Sequence, residues 1–283
     1  MKRSTHPLMR LLVLAALVLA MMLVATLCVA VVGVESRCGL LASQALIQIM
    51  TFALPVALFV YIYYRGEVRD YCRLGVEGRH WVLAATGVVV MLLLVPLTDW
   101  LTEWNEGWQL GSVGDMLRRM QTASEEMVQS LTSGTGVGDL VANLMVVALV
   151  PAVCEELLFR VGVQNQLVAW FRNPHAAVWT AAAIFSLGHA ELFAFAPRLL
   201  LGAALGYLYY YGGSLIVNTM AHFVNNACVV VLYWLSARGV VDIDPAEPLH
   251  IGILLVAACT MAAVLLFVAM FGKRDENHEQ SKN

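Results

Sequence analysis

Glu155, Glu156 and Arg160 fall within six consecutive positions of an otherwise apolar run, Val-Pro-Ala-Val-Cys-Glu-Glu-Leu-Leu-Phe-Arg. An ionisable side chain in such a run costs about 2.5–3.5 kcal/mol to place in a bilayer, so each is a candidate for function. On a helix Glu156 and Arg160 are four apart and face one another, whereas Glu155 lies about 140° round the wheel from Arg160. Glu156 is then the ion-pair partner of the guanidinium, and the pair alone can equally be a structural clamp. Glu155 is left to face another helix, a carboxylate with no cation beside it, as suits a general base.

The next apolar run contains Phe185-Ser-Leu-Gly-His189. Glu155 is seventeen residues before Arg172 and His189 seventeen after it. An antiparallel hairpin turning near Arg172–Pro174 therefore sets both side chains at one depth. A later run contributes His222, Asn225 and Asn226, with His222 and Asn226 four apart on one face. A carboxylate, two imidazoles and an amide can activate a water and stabilise an oxyanion, which is the equipment for hydrolysing an amide. Ser186 and Thr180 are weaker nucleophile candidates, because a hydroxyl within a helix bonds back to a carbonyl.

The elements that carry these groups follow from composition. Of 283 residues 60% are apolar and 13% charged, against about 25% charged in soluble domains. A mean hydropathy of +0.74 over the whole length spreads the apolar excess along the chain. The fold class is all-α, a polytopic membrane protein with a bundle of about eight transmembrane helices, predicted over roughly 8–33, 41–64, 80–98, 140–163, 174–191, 195–212, 213–236 and 249–272. The first run is too long for the apolar stretch of a cleaved signal and is read as a span. A net charge of −3 removes nucleic acid as a partner. The six cysteines form no C-x-x-C pair, so neither a disulfide framework nor a cysteine zinc site is expected.

Four regions are expected: a three-span unit over 1–98, an extracytoplasmic connection over 99–139, a catalytic core over 140–236, and a last span with a polar, disordered tail over 237–283. With the termini cytoplasmic, eleven Lys and Arg lie inside and five outside. The protein is thus expected in the cell (inner) membrane with both ends in the cytoplasm. Within 99–139, Met116, Met120, Met127 and Leu131 share one helical stripe with Leu117 and Val128 beside them, which predicts an interfacial helix resting on the bundle or headgroups, or alternatively a gate. The tyrosines at 207 and 209–211 read as an interface belt.

Taken in order, Glu155-Glu156-x-x-x-Arg160, Phe185-x-x-x-His189 and His222-x-x-x-Asn226 resemble the motifs of the CPBP family of intramembrane proteases, which includes type II CAAX prenyl endopeptidases and lysostaphin resistance protein A. The resemblance covers roughly 140–236. It implies an eight-helix bundle with a catalytic cavity inside the membrane and an endopeptidase acting on a membrane-associated or prenylated (CAAX-type) peptide or protein. By likeness, Glu155 and His189 would activate water, His222 and Asn226 would hold the oxyanion, and Glu156 and Arg160 would support them. Members are described both as zinc enzymes and as metal-independent glutamate proteases, and both readings stand here; zinc would be held by Glu155, His189 and His222, with an open position for water. Two other classes remain open from sequence. One is a noncatalytic membrane scaffold or immunity protein, the other a proton-coupled transporter using Glu155 and His189.

Overall fold

The computed structural model describes residues 5–32, 34–109, 111–245 and 248–280, with side chains as far as 270. Among the described residues there are helices and no strand. In a bilayer a helix satisfies its own backbone, so an apolar chain of this composition has little other choice. The ten helices are α1 (Pro7–Val32), α2 (Arg37–Tyr64), α3 (Val68–Tyr71), α4 (Gly78–Glu106), α5 (Gly111–Thr132), α6 (Val137–Phe171), α7 (Pro174–Gly188), α8 (Phe195–Gly212), α9 (Leu215–Ala237) and α10 (Ile253–Gln280). The α10 helix continues through the tail that the sequence reading leaves disordered. Lys2, Arg3 and Lys282, used in the orientation count, lie outside the described residues.

Seven helices are long and apolar enough to cross a membrane, one fewer than expected. The exception is α7, whose 15 residues reach roughly 22 Å against a bilayer core of about 30 Å. Its ends are fixed locally. Asn173 caps the start by accepting from the Ala176 N–H at 3.1 Å, and the left-handed Ala190 (φ 56°) turns the chain immediately after His189. A short 3-10 turn at Leu192–Ala194 then leads into α8.

Two of the long helices are not uniformly α. Ile49–Ala53 in α2 and Leu144–Leu149 in α6 are π turns, each followed within two residues by a proline, Pro55 and Pro151. Proline has no N–H and collides with the carbonyl four residues back, so the turn before it widens. The Leu54 and Val150 N–H groups accordingly bond five residues back, to Ile49 and Met145. A third π stretch, Leu157–Gln164, follows the two glutamates directly. Such segments recur at functional sites.

α7 and α8 pack antiparallel and very close, because glycines four apart on α8 admit the other helix: Ala182 lies against Gly202 and Val178 against Gly206, with Ala203 buried beside them. A Cβ at Gly206 would come within 2.9 Å of Val178 Cγ1, 3.0 Å of Gln164 Oε1 and 3.3 Å of Arg160 Nη1. Gly206→Ala is expected to destabilise the protein by about 1–3 kcal/mol, seen as a lower thermal midpoint in detergent. Gly138→Ala, where an added Cβ meets nothing within 4 Å, should leave the midpoint unchanged. Equal midpoints would show that α8 is not seated as closely as described.

The start of α1 and the far end of α10 lie at one face. His6 stacks edge-on with Trp170 at the end of α6, and α10 runs antiparallel to α4, from Asp99, which accepts from the Leu249 N–H, to Met270 beside the cluster containing Ala84. The turn between α8 and α9 lies at this face too: Gly213 adopts φ +75° as a helix-ending glycine does, and Arg73 donates to the carbonyls of Tyr209 and Tyr210. Tyr209 itself is 1% exposed and accepts from Asn165, with Arg73 over its ring. It belongs to the core, not to an interface belt.

The connection at the opposite face is shorter than expected, since α4 continues to Glu106. The amphipathic helix is present as α5, but its apolar stripe does not bury as a unit. Leu131 is 3% exposed, while Met116 and Met120 are 64% and 43% exposed. Both halves of α5 are tied down, the first by Arg118, which lies over the Phe193 ring and donates to the Glu106 and Trp108 carbonyls, and the last turn by Arg37, which donates to the Leu131 carbonyl, Asp139 and Asn143.

Candidate active site

Glu155 and Glu156 end the α-helical turn between the two π stretches of α6, and both are buried. Glu156 and Arg160 are fully buried and paired, Nε to Oε2 at 2.8 Å. Arg160 also donates through Nη1 to Gln164 Oε1 at 3.3 Å, and Gln164 donates to the Gly206 carbonyl at 2.9 Å. That second bond exists because Gly206 lets α8 approach. Glu156 is not the partner of Arg160 alone. Its Oε1 meets His222 Nδ1 at 2.9 Å, and its Oε2 also accepts from Asn218.

The bond to Glu156 fixes which nitrogen of His222 is left for the cavity: Nε2, which lies 3.7 Å from Glu155 Oε2. One imidazole thus bridges the two glutamates. The spacing argument pairs Glu155 with His189, whereas the direct neighbour of Glu155 is His222. His189 Nδ1 is engaged by the Phe185 carbonyl at 2.8 Å, which leaves its Nε2 free of that bond. Its ring packs edge-on against Phe185, which also faces His222.

Glu155, His189, His222, Asn225 and Asn226 all line one cavity of about 430 Å³. Ser124, Met127, Val128, Leu131 and Thr132 of α5 roof it. Asn225 donates to Asn226 Oδ1 at 3.4 Å. Ser186 is not at the cavity; its hydroxyl donates to the Phe195 carbonyl at 2.8 Å.

Several groups escaped the sequence reading. Gln48 of α2 donates to Glu155 Oε1 at 3.5 Å and is 9% exposed, its own Oε1 without a partner among the described residues. Asn218 extends the face of α9 by one turn below His222. Both carried a signal, since a buried amide within an apolar run needs a partner. Arg198, one of the five basic residues counted outside, belongs to α8. It pairs with Glu191, which also accepts from Ser124 of the roof. Nothing local in the sequence links those three residues.

The zinc alternative requires Glu155, His189 and His222 to converge. Among the described residues no three His, Cys, Asp or Glu side chains are grouped as a metal site needs, so no step is derived through a metal.

Residues 137–228 match the family of type II CAAX prenyl endopeptidase Rce1-like proteins. The chain carries an Rce1-like region. That region begins with α6 and ends just beyond Asn226, so it contains all seven residues that the motifs name. It leaves α1–α5 and α10 unmatched, although α2 supplies Gln48 and α5 the roof. No curated protein and no solved structure matches the chain.

Proposed function

We propose that this integral membrane protein is an intramembrane endopeptidase that hydrolyses a peptide bond of a membrane-associated polypeptide, a prenylated CAAX-type substrate being the one its family's name suggests. The observation that carries the reading is the placement of Glu155, with His189, His222 and Asn226, on the wall of one buried cavity within the Rce1-like region.

In this reading Glu155 takes a proton from a water held between it and His189, and the water oxygen attacks the scissile carbonyl. Negative charge moves to the carbonyl oxygen, where the Asn226 amide and a protonated His222 Nε2 donate hydrogen bonds to it. Glu155 then passes its proton to the departing nitrogen as the carbon–nitrogen bond breaks. Glu156, with Arg160 and Asn218 behind it, positions His222 through Nδ1 and does not touch substrate. Gln48 restrains the Glu155 carboxylate from the opposite side. In this reading both termini lie on the cytoplasmic side, the side to which the excess of Lys and Arg is assigned.

The test is cleavage of membrane-tethered peptides by detergent-purified wild type and Glu155→Gln, each with and without a zinc chelator. Cleavage by the wild type alone, indifferent to chelator, is the expected result. Cleavage abolished by chelator and restored by zinc would replace the water-activating carboxylate with a metal site.

A further inference from the structure

The cavity is closed toward one face of the bundle and extends toward the other, where Ser124, Met127, Val128, Leu131 and Thr132 of α5 cover part of its mouth. Glu155 lies 16 residues before the end of α6 and 18 after its start, roughly 24 and 27 Å at 1.5 Å per residue, so the site is near mid-membrane. From there the lining residues run one way. On α9 they step from His222 through Asn226 and Val230 to Tyr233, on α2 from Gln48 back to Gln44, and on α6 from Glu155 back to Val147.

Below Glu155 the route is sealed. Glu156, Arg160 and Gln164 are at most 1% exposed. Beneath them Gln166 donates to the hydroxyls of Tyr64 and Tyr71 at 3.0 and 2.7 Å, the two rings stack, and Tyr71 donates to the Val161 carbonyl at 2.9 Å. Burial pushes the Tyr71 hydroxyl well above its usual range, so Tyr71 remains a neutral donor to the Val161 carbonyl.

The two faces differ in charge. The sealed face holds Arg10, Arg65, Arg69, Arg73, Arg79 and Arg172 with Glu67, Asp70 and Glu77, and the end of α10 adds Lys273 and Arg274 with Asp275, Glu276 and Glu279. The open face holds five arginines and eleven acids among the described residues, from Glu35 to Asp244. Lys2 and Arg3 precede α1, and four arginines crowd residues 65–79. Lys and Arg enriched in short connections mark the cytoplasmic side.

We infer that the cavity is entered from the extracytoplasmic face, so that its substrate is an extended polypeptide segment presented at the outer leaflet, and not a prenylated C terminus anchored in the cytoplasmic leaflet. The substrate part rests on the endopeptidase reading above; the side of entry does not. The lining suits an extended chain. Gln44, Gln48, Asn225 and Asn226 supply amide groups that can pair with peptide N–H and C=O, and the buried Gln48 Oε1 is an acceptor without a partner among the described residues. Apolar Met91, Leu201, Leu205 and Val229 give side chains a dry wall between them.

A membrane-impermeant maleimide applied to right-side-out and inverted vesicles carrying the full chain tests this. Native Cys38, exposed at the start of α2, reports the open face. Gly66→Cys, where an added Cβ meets nothing within 4 Å, reports the arginine-rich face. Gln44→Cys in a Cys38→Ser background reports the cavity. Cys72 stays silent, being buried with its thiol pushed up by that burial. Cys38 and Gln44→Cys should label in right-side-out vesicles and Gly66→Cys in inverted ones. Labelling of Gln44→Cys from the inverted side, or from neither side, overturns the inference. Tethered peptides then offered from each side should be cut only from the Cys38 side, and cutting only from the other side overturns it. If labelling is as expected and neither side cuts, the side of entry stands and the endopeptidase reading falls.

Discussion

Glu155→Gln is expected to lower turnover of a membrane-tethered peptide by about 10²–10⁴-fold, the range that a positioned general base contributes. Glutamine has nearly the same shape, and the position is 7% exposed with one long contact to Gln48 and one to His222. The fold should therefore survive, and detergent-solubilised variant and wild type should elute and melt alike. The change should appear in kcat with little change in KM, because the amide can still hydrogen-bond a water but cannot take its proton. Retention of full activity would remove Glu155 from the reaction. His222 Nε2, the nearest other group, would then be the base to test.

Arg160→Ala should act on the other term, stability. The guanidinium is fully buried and neutralises a fully buried carboxylate; removing one partner of such a pair costs about 3–5 kcal/mol. The stranded Glu156 would keep His222 and Asn218 as neighbours, so the loss falls short of an isolated charge but remains large. Purified yield and thermal midpoint should both drop. Glu156→Gln combined with Arg160→Met removes both charges and should recover much of the midpoint, since paired charges replaced together by groups of similar volume are often tolerated. It should not recover activity, because His222 loses the carboxylate that fixes its Nδ1. A double variant as unstable as Arg160→Ala would show that packing of the long side chain against α8, and not charge balance, is what Arg160 supplies.

These two expectations rest on different kinds of information. That Glu156 and Arg160 meet is legible in the sequence, because residues four apart on a helix share a face whatever surrounds them. The segments themselves were legible for a similar reason. A bilayer allows an apolar chain helices and little else, so hydropathy alone locates α1, α2, α8 and α9 to within four residues, whereas α4, α6 and α10 each run on as helix eight residues past the end of the apolar run. At α7 the predicted run over 174–191 is present but ends as helix at Gly188, because the left-handed Ala190 reverses the chain before the run is over.

What lies between helices was not legible. His222 was expected to work with Asn226 on an oxyanion, yet its ring also spans Glu155 and Glu156 on α6. Gln48 reaches Glu155 from more than a hundred residues away, and Ser124 of the roof meets Glu191. Each of these contacts depends on how far one helix is rotated and raised against another. That is set by Gly202 and Gly206 admitting α8 against α7, by the prolines that widen α2 and α6, and by Arg37 tying α5 to α6. The sequence by itself determined the helices, the chemistry they carry and the pairs within one helix, because those follow from periodicity and solvation. The tertiary structure alone decided which nitrogen faces which carboxylate and toward which face the cavity extends, because rotation and depth are properties of packing, summed over many contacts distant in the chain.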